Sequence, residues 1–357
     1  MSSVSFRRLR RGVIAAIVAP VVLAMVSCGS SSGDSGSSAA GGSDAISIGV
    51  AEINLSLPFY VQMRQGSEAI AEDYGVDVTW QSADASIEKQ ISIIENYIAQ
   101  EKDAILIDPI NADALIDVIN KATDAGIPVV TMGNEVKGES NHNTLYPDFA
   151  NWEENARIIG NKLGGEGKVL LLTGTVGNYV SDTRQKGFED VMAAEFPGIQ
   201  VITQTTDFDS TKAGSVTQTV LANNPDLAAV ASITDGVTLA AMKVLEQQGK
   251  TIPVITNDGD QDTYTYIDDG TIVSNILTGA ERVGAWNTAV AARLAQGSTF
   301  DTNLYMPTYF VSSDLQASLM SQVGVEWVST DEAITLAQNY VEEFGASRSD
   351  ADMTVGA

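Results

Sequence analysis

The chain has 357 residues, 44% of them hydrophobic and 18% charged, enough for two domains with separate cores. It holds one cysteine and one histidine, which excludes an internal disulfide and argues against a metal centre or a histidine-based triad; His142, inside "GESNHNT", reads as a solvated loop residue. The formal net charge is −26, and since Arg7, Arg8, Arg10 and Arg11 account for four of the 20 basic residues, 16 bases face 46 acids in the rest of the chain; such a surface repels phosphate backbones and excludes nucleic acid as a partner.

Residues 1–27 read as an export signal. The arginines precede "GVIAAIVAPVVLAMVSC", an apolar run too short and too proline-broken for a comfortable membrane span. Met25-Val26-Ser27-Cys28 resembles a bacterial lipobox, with Met25 where leucine is usual. The resemblance implies cleavage before Cys28 and diacylation of its thiol. An ordinary signal peptide with a chance cysteine is the alternative, and the position of the only cysteine argues against it. Residues 28–44 form a Gly/Ser tether that can bury nothing. Two acyl chains suffice to anchor a soluble body to the outer face of a cell membrane.

From Ala45, strands and helices alternate. "AISIGVA" is a strand, and the helix "LPFYVQMRQGSEAIAEDYG" follows with Pro58 at its start and Gly75 at its stop. "VDVTWQSA" is a strand; "SIEKQISIIENYIAQE" sets Ile87, Ile91, Ile94 and Ile98 on one helical face. "DAILIDP" is apolar throughout, as in a strand covered on both sides; "ADALIDVINKATDAG" and "IPVVTMG" complete this run. The rhythm restarts with "KVLLLTG" and passes through "IQVITQTTDF", "LAAVASITDG", "IPVITNDG", a short helix from about Gln261 and "TIVSNILTG" to "AERVGAWNTAVAARLAQG". Such alternation predicts α/β architecture with parallel sheets and right-handed crossovers. Two runs predict two doubly wound lobes joined by a hinge.

One phrase occurs twice. "GIPVVTMGN" (126–134) and "TIPVITNDG" (251–259) align Ile127 with Ile252, Pro128 with Pro253, Thr131 with Thr256 and Gly133 with Asp258. This is one strand end written in each lobe. Ligands of open parallel sheets bind beyond the C-terminal strand ends, so both copies are expected to face one cleft. The expected division is 45–148 plus about 279–304 for the first lobe and 149–278 plus about 305–314 for the second. Residues 315–357 are expected as terminal helices and a tail against one lobe.

The lipobox, the tether and the paired lobes resemble type I periplasmic binding proteins of the ribose and simple-sugar group, which feed ABC importers. The order and spacing of "LPFYVQMRQGSEAIAEDYG", "AILIDPINADAL", "AGIPVVTMGN", "TRQKGF", "TDFDSTKAG" and "VITNDG" carry the resemblance, from Ala45 to about Asp314. It implies a sugar or polyol held between the lobes, with aromatic rings on its faces and charged groups on its hydroxyls. Matching motifs assigns Phe59 and Tyr60 to the first aromatic position, Asp108 to a polar position after "AILI", Phe208 to a stacking ring and Asp258 to the acid ending "VIT". Arg184 matches the arginine of an R-x-x-G-F phrase, with a lobe-internal ion pair as its alternative. Thr234 and Asp235 match a polar pair opening a helix, where Asp235 is equally well a cap. Thr278 is a weaker candidate near the hinge.

Ribose-type members carry an acid and an arginine where this chain has Gly133 and Asn134. The change removes a hydroxyl acceptor and is expected to open space, with Asn134 as an amide contact. Leu57 replaces an amide. With these changes a different pentose, a hexose, a deoxy sugar or a sugar alcohol fits as well as plain ribose. Trp80, Trp152 and Trp286 are expected to pack. The resemblance implies no cofactor, no enzymatic activity, a monomer, and an ABC permease as membrane partner. The alternative is a signalling receptor of the same fold. A transcription regulator is excluded by the export signal standing in place of a DNA-binding head. The sequence holds no nucleophile elbow, metal-ligand spacing or P-loop.

Overall fold

The computed structural model describes residues 45–56 and 58–354. The export signal, Cys28, the tether and Leu57 lie outside the described residues. The chain runs β1 (Ile46–Glu52), α1 (Pro58–Tyr74), β2 (Val76–Ser82), α2 (Ile87–Ala99), β3 (Ala104–Ile107), α3 (Ala112–Asp124), β4 (Val129–Met132) and β5 (His142–Leu145). After a first crossing come α4 (Asp148–Lys162), β6 (Glu166–Thr173), α5 (Tyr179–Glu195), β7 (Gly198–Thr205), α6 (Ser210–Asn223), β8 (Leu227–Ser232), α7 (Asp235–Gln247), β9 (Val254–Asp258), α8 (Tyr264–Asp268) and β10 (Ile272–Leu277). The remainder is α9 (Ala280–Ala295), β11 (Asn303–Tyr305), β12 (Tyr309–Val311), α10 (Ala317–Val323), β13 (Trp327–Val328), α11 (Thr330–Gln338) and α12 (Tyr340–Phe344).

These strands form two sheets, ordered β11-β5-β4-β3-β1-β2 and β13-β12-β10-β9-β8-β6-β7. Pairing is parallel except where β12 meets β10. The inner strands are covered on both faces, which is why β3 (AILI) and β4 (VVTM) are buried along their whole length. Local chemistry starts the helices: Ser86, Asn111, Asn178 and Asp209 each accept a backbone N–H at an N-cap, satisfying donors the helix leaves open. In each sheet the winding direction reverses once, between β1 and β3 in the first and between β6 and β8 in the second. Such switch points open a crevice beyond the strand ends.

His142 does not sit in a solvated loop. It opens β5, with Nδ1 2.9 Å from the carbonyl of Asp301. Asp148 opens α4, whose helix packs in the second lobe.

The chain passes between the sheets at 146–147, 278–279 and 306–308, and a fourth time near 339. This last passage corrects the expectation for 315–357. Strand β13 extends the second sheet, and α11 adds Ala333, Ile334 and Leu336 to the second lobe's core. Helix α12 and the 3-10 turn Asp350–Met353 then return to the first lobe, where Phe344 and Met353 are fully buried. The return is fastened by Trp286 Nε1 donating to the Met353 carbonyl at 2.7 Å, by Tyr74 Oη donating to the Phe344 carbonyl at 2.9 Å, and by ion pairs Arg282–Glu343 and Arg293–Asp350, each 2.6 Å. Short helices without a long apolar period carry no signal of which lobe they join, so the sequence did not reveal it. Trp152 and Trp286 are core residues, both fully buried. Among the described residues no helix is long and apolar enough to cross a membrane.

Helices α1 and α9 approach so closely that a Cβ at Gly66 would stand 1.9 Å from the Glu281 carbonyl oxygen, and one at Gly284 1.7 Å from that of Met63. Both obstacles are backbone, so neither helix yields without moving bodily. Gly284→Ala is expected to lose about 1–3 kcal/mol in urea unfolding; stability equal to the parent would show that the two helices are not locked at this crossing.

Candidate ligand-binding site

The first lobe builds its side of the crevice at its switch point. Register pairs Ala51 with Ile107, so the next residues, Glu52 and Asp108, stand side by side at the strand ends, Glu52 still paired with Ser82 of β2. Gln90 fixes them: its amide donates to the carbonyls of Ala51 (3.1 Å) and Asp108 (2.6 Å), and its oxygen accepts from Ile110 N (3.1 Å). Asp108 Oδ1 accepts from Asn134 Nδ2 at 3.0 Å. Burial pushes the Asp108 carboxyl up to about 7, although the neighbouring Glu52, Tyr60 and Asn134 favour its ionised form. Glu52 is fully buried; burial, then the Asp108 charge, hold its carboxyl well above the usual range. Its Oε1 accepts from Ile53 N at 2.7 Å, while Oε2 has no hydrogen-bond partner among the described residues.

Phe59 and Tyr60 open α1 as an edge-to-face pair, 5.6 Å between centroids at 87°. Both are half-buried against the first core. Burial, then Asp108 and Glu52, raise the Tyr60 phenol well above its ordinary value. The space expected beside Gly133 is not open. Tyr146, in the first crossing segment, fills it: a Cβ at Gly133 would meet the ring at 3.4 Å and its hydroxyl at 3.6 Å. Gly133 also has φ +70°, a conformation that disfavours a side chain.

The second lobe supplies a buried charge cluster. Arg184 is 3% exposed; its Nε donates to Asp148 Oδ1 at 2.8 Å and its Nη1 to the Ile233 carbonyl at 2.7 Å, with Asp258 Oδ1 at 3.5 Å. Burial opposes the Arg184 charge, but Asp148 and Asp258 outweigh it and strengthen the guanidinium. Burial raises Asp148 against the pull of Arg184, and its Oδ2 is buried with no partner among the described residues. Burial likewise pushes Asp258 up to about 7, opposed by Arg184 and reinforced by Asp260. Asp258 is aimed by a relay: Trp152 Nε1 donates to Asn257 Oδ1 at 3.2 Å, and Asn257 Nδ2 to Asp258 Oδ1 at 3.3 Å. Its φ of +123° is a strained conformation for a residue with a side chain, of the kind that clusters at functional positions.

Tyr146 links the two sides. Burial raises its phenol, and the groups acting on it are Asp108 of the first lobe and Asp148, Arg184 and Asp258 of the second. At the rim Asn178 Nδ2 donates to Asn134 Oδ1 at 3.4 Å, one lobe to the other. Asp108, Asn134, Tyr60, Arg184 and Asp258 are therefore brought together around one crevice.

Other candidates lie elsewhere. The Asp235 carboxylate is fully buried and used up within its lobe, accepting from Thr256 Oγ1 (2.7 Å), Asp260 N (2.7 Å) and Asn275 Nδ2 (2.9 Å). It braces the loop after β9 and has no free face for a ligand. Thr278 is 2% exposed and its hydroxyl donates to the Asp258 carbonyl at 3.4 Å; it splices the second crossing onto β9. Thr234 is half-buried at the N-cap of α7 without a side-chain cap bond. Phe208 has φ +59°, is 39% exposed and lies over Gly174, where a Cβ would stand 2.2 Å from its ring. The sequence reading missed Glu52, Tyr146 and Asp148. A carboxylate immediately after an apolar strand was the available signal for Glu52.

The chain belongs to the periplasmic binding protein domain family, whose description matches residues 48–299. It is 30% identical over 262 residues to the ribose import binding protein of Bacillus subtilis, covering 73% of this chain and 85% of that protein. It is 26% identical over 324 residues to the xylitol-binding protein of Mycolicibacterium smegmatis, covering 90% and 89%. Among solved structures it resembles an ABC transporter solute-binding protein from Mycobacterium smegmatis with bound glycerol, at a TM-score of 0.71 and 25% identity, over 79% of this chain and 98% of the other.

Arg184 is the sole cation among the groups that hold Asp148 and Asp258. Removing it leaves buried carboxylates unbalanced, so Arg184→Ala is expected to cost about 3–5 kcal/mol of folding stability, read by urea denaturation. Stability within about 1 kcal/mol of the parent would mean that the guanidinium is a free ligand arm and not a structural counter-ion.

Proposed function

We propose that the crevice captures an uncharged sugar or polyol and that the liganded protein delivers it to the permease of an ABC importer. One observation carries this reading. Acceptor oxygens converge from both lobes, on Asp108 from the first and on Asp148 and Asp258 from the second, with the Asp148 Oδ2 buried and unpartnered. A molecule with several hydroxyl donors satisfies such a set; an apolar one leaves every carboxylate desolvated at full cost. Phe59 and Tyr60 are the rings available for the C–H faces of the ligand, and Asn134 and Arg184 supply donors. The relatives named for ribose and xylitol, and the neighbour with glycerol, all concern small polyhydroxyl molecules. The crossings at 146–147, 278–279 and 306–308 provide the hinge for closure.

The same reading places the protein outside the cytoplasm, tethered through a diacylated Cys28, as a monomer. A tether raises the effective concentration of the binding protein at its permease. Asp235 and Thr278 act inside the second lobe and support the position of Asp258.

A thermal-shift series against ribose, xylitol, glycerol and related hexoses tests the assignment. At a hundred times its dissociation constant the cognate molecule adds about 2.7 kcal/mol. Asp258→Asn is expected to weaken its binding at least tenfold, the loss of about one charge-assisted hydrogen bond. No stabilisation by any neutral sugar or polyol would contradict the assignment; undiminished affinity in Asp258→Asn would move the site away from β9.

A further inference from the structure

The first lobe places two carboxyl groups side by side and, among the described residues, gives them no cation. Glu52 and Asp108 follow register partners on β1 and β3, and Gln90 clamps both strand ends through their carbonyls. Neither group can withdraw. Of the four carboxyl oxygens, Glu52 Oε1 takes Ile53 N and Asp108 Oδ1 takes the Asn134 amide. Glu52 Oε2, fully buried, has no donor among the described residues. The titratable groups facing the pair are the Tyr60 hydroxyl from α1 and, beyond it, Tyr146 from the first crossing segment. Arg184 is engaged with Asp148 and Asp258 on the other lobe. An orphan oxygen beside a second carboxyl, without a cation, is satisfied by a proton held between the two.

We propose that Glu52 and Asp108 share one proton and together form the hydroxyl-binding wall of the first lobe, which selects an uncharged vicinal diol. This rests on the sugar or polyol reading of the cleft. Glu52 donates its proton towards Asp108, whose remaining oxygen is left to accept a ligand hydroxyl. The pair then carries one negative charge, and the Asp148–Arg184–Asp258 cluster opposite carries another. A uronate or sugar phosphate meets repulsion from both walls. Loss of the shared proton at high pH sets two carboxylates against each other and disorders the acceptor. Affinity for a neutral diol therefore falls with rising pH, by about tenfold per pH unit beyond the titration, as binding linked to one proton requires. A cationic amino sugar would behave oppositely and gain affinity as the pair ionises.

The test uses the full soluble protein and Glu52→Gln, whose amide donates permanently to Asp108. Carboxyl carbon-13 NMR of the ligand-free protein reads the pair directly. One glutamate carboxyl, absent from Glu52→Gln, should remain protonated at pH 7; a glutamate titrating in the ordinary range near 4.3 overturns the shared proton. Calorimetry from pH 6 to 9 with xylitol, D-ribose, D-glucosamine and D-glucuronate reads its consequence. The parent should bind a neutral probe more weakly as pH rises, and Glu52→Gln should lose that slope. Asp258 is untouched in the variant, so the difference between the two profiles reports the Glu52–Asp108 pair. Equal slopes in both proteins, or tighter binding of glucuronate than of either neutral probe, overturn the selectivity. Absence of binding by every neutral probe overturns the sugar reading itself, while the NMR titration still decides the pair.

Discussion

Buried negative charge with a single counter-ion governs this molecule. Around the crevice stand Glu52, Asp108, Asp148 and Asp258, and one guanidinium, that of Arg184, is shared by the last two. A buried carboxylate is tolerated when it is paired, protonated or offered to a ligand. The two lobes answer this constraint differently. The second holds its charge with Arg184 and the Trp152–Asn257 relay. Among the described residues the first has no cation, and it is left with Asn134, Tyr60 and the proton proposed for the Glu52–Asp108 pair. In the proposed reading a ligand rich in hydroxyl donors completes both arrangements at once, offering the buried carboxylates the donors that burial otherwise denies them.

The scaffold keeps these groups in place and still permits the lobes to move. Parallel sheets put each acid at a strand end, where the peptide register and not the side chain decides its position. The hinge is made of short crossings, and one of them carries Tyr146 into the centre of the site. The return of α12 and the turn Asp350–Met353 to the first lobe adds a further link, anchored by Arg282 and Arg293 on α9. The segment joining α11 to α12 is thereby a fourth connection between the lobes.

Much of this was legible in the sequence. Strand and helix alternation gave the architecture, and the doubled phrase ending at Gly133 and Asp258 located two corresponding strand ends. Other features depend on distant packing. Glu52 looks like the polar end of a strand until β3 is laid beside β1. Tyr146 lies in a connection with no periodic signal, so the space at Gly133 read as open when an aromatic ring from another element fills it. Asp235 matched a helix-opening motif, but Thr256, Asn275 and the loop amide of Asp260, all outside that motif, consume its carboxylate. Its motif singled out Arg184 as a ligand contact or an ion-pair partner, and the fold shows the ion pair, with Asp148 at 2.8 Å.

A crystal structure with the sugar or polyol that most stabilises the protein tests the central claim most directly. The account predicts a single molecule between the lobes, with hydroxyls within hydrogen-bond distance of Asp108 on one side and Asp258 on the other. A ligand held by one lobe alone, or outside the crevice that these acids line, would contradict it.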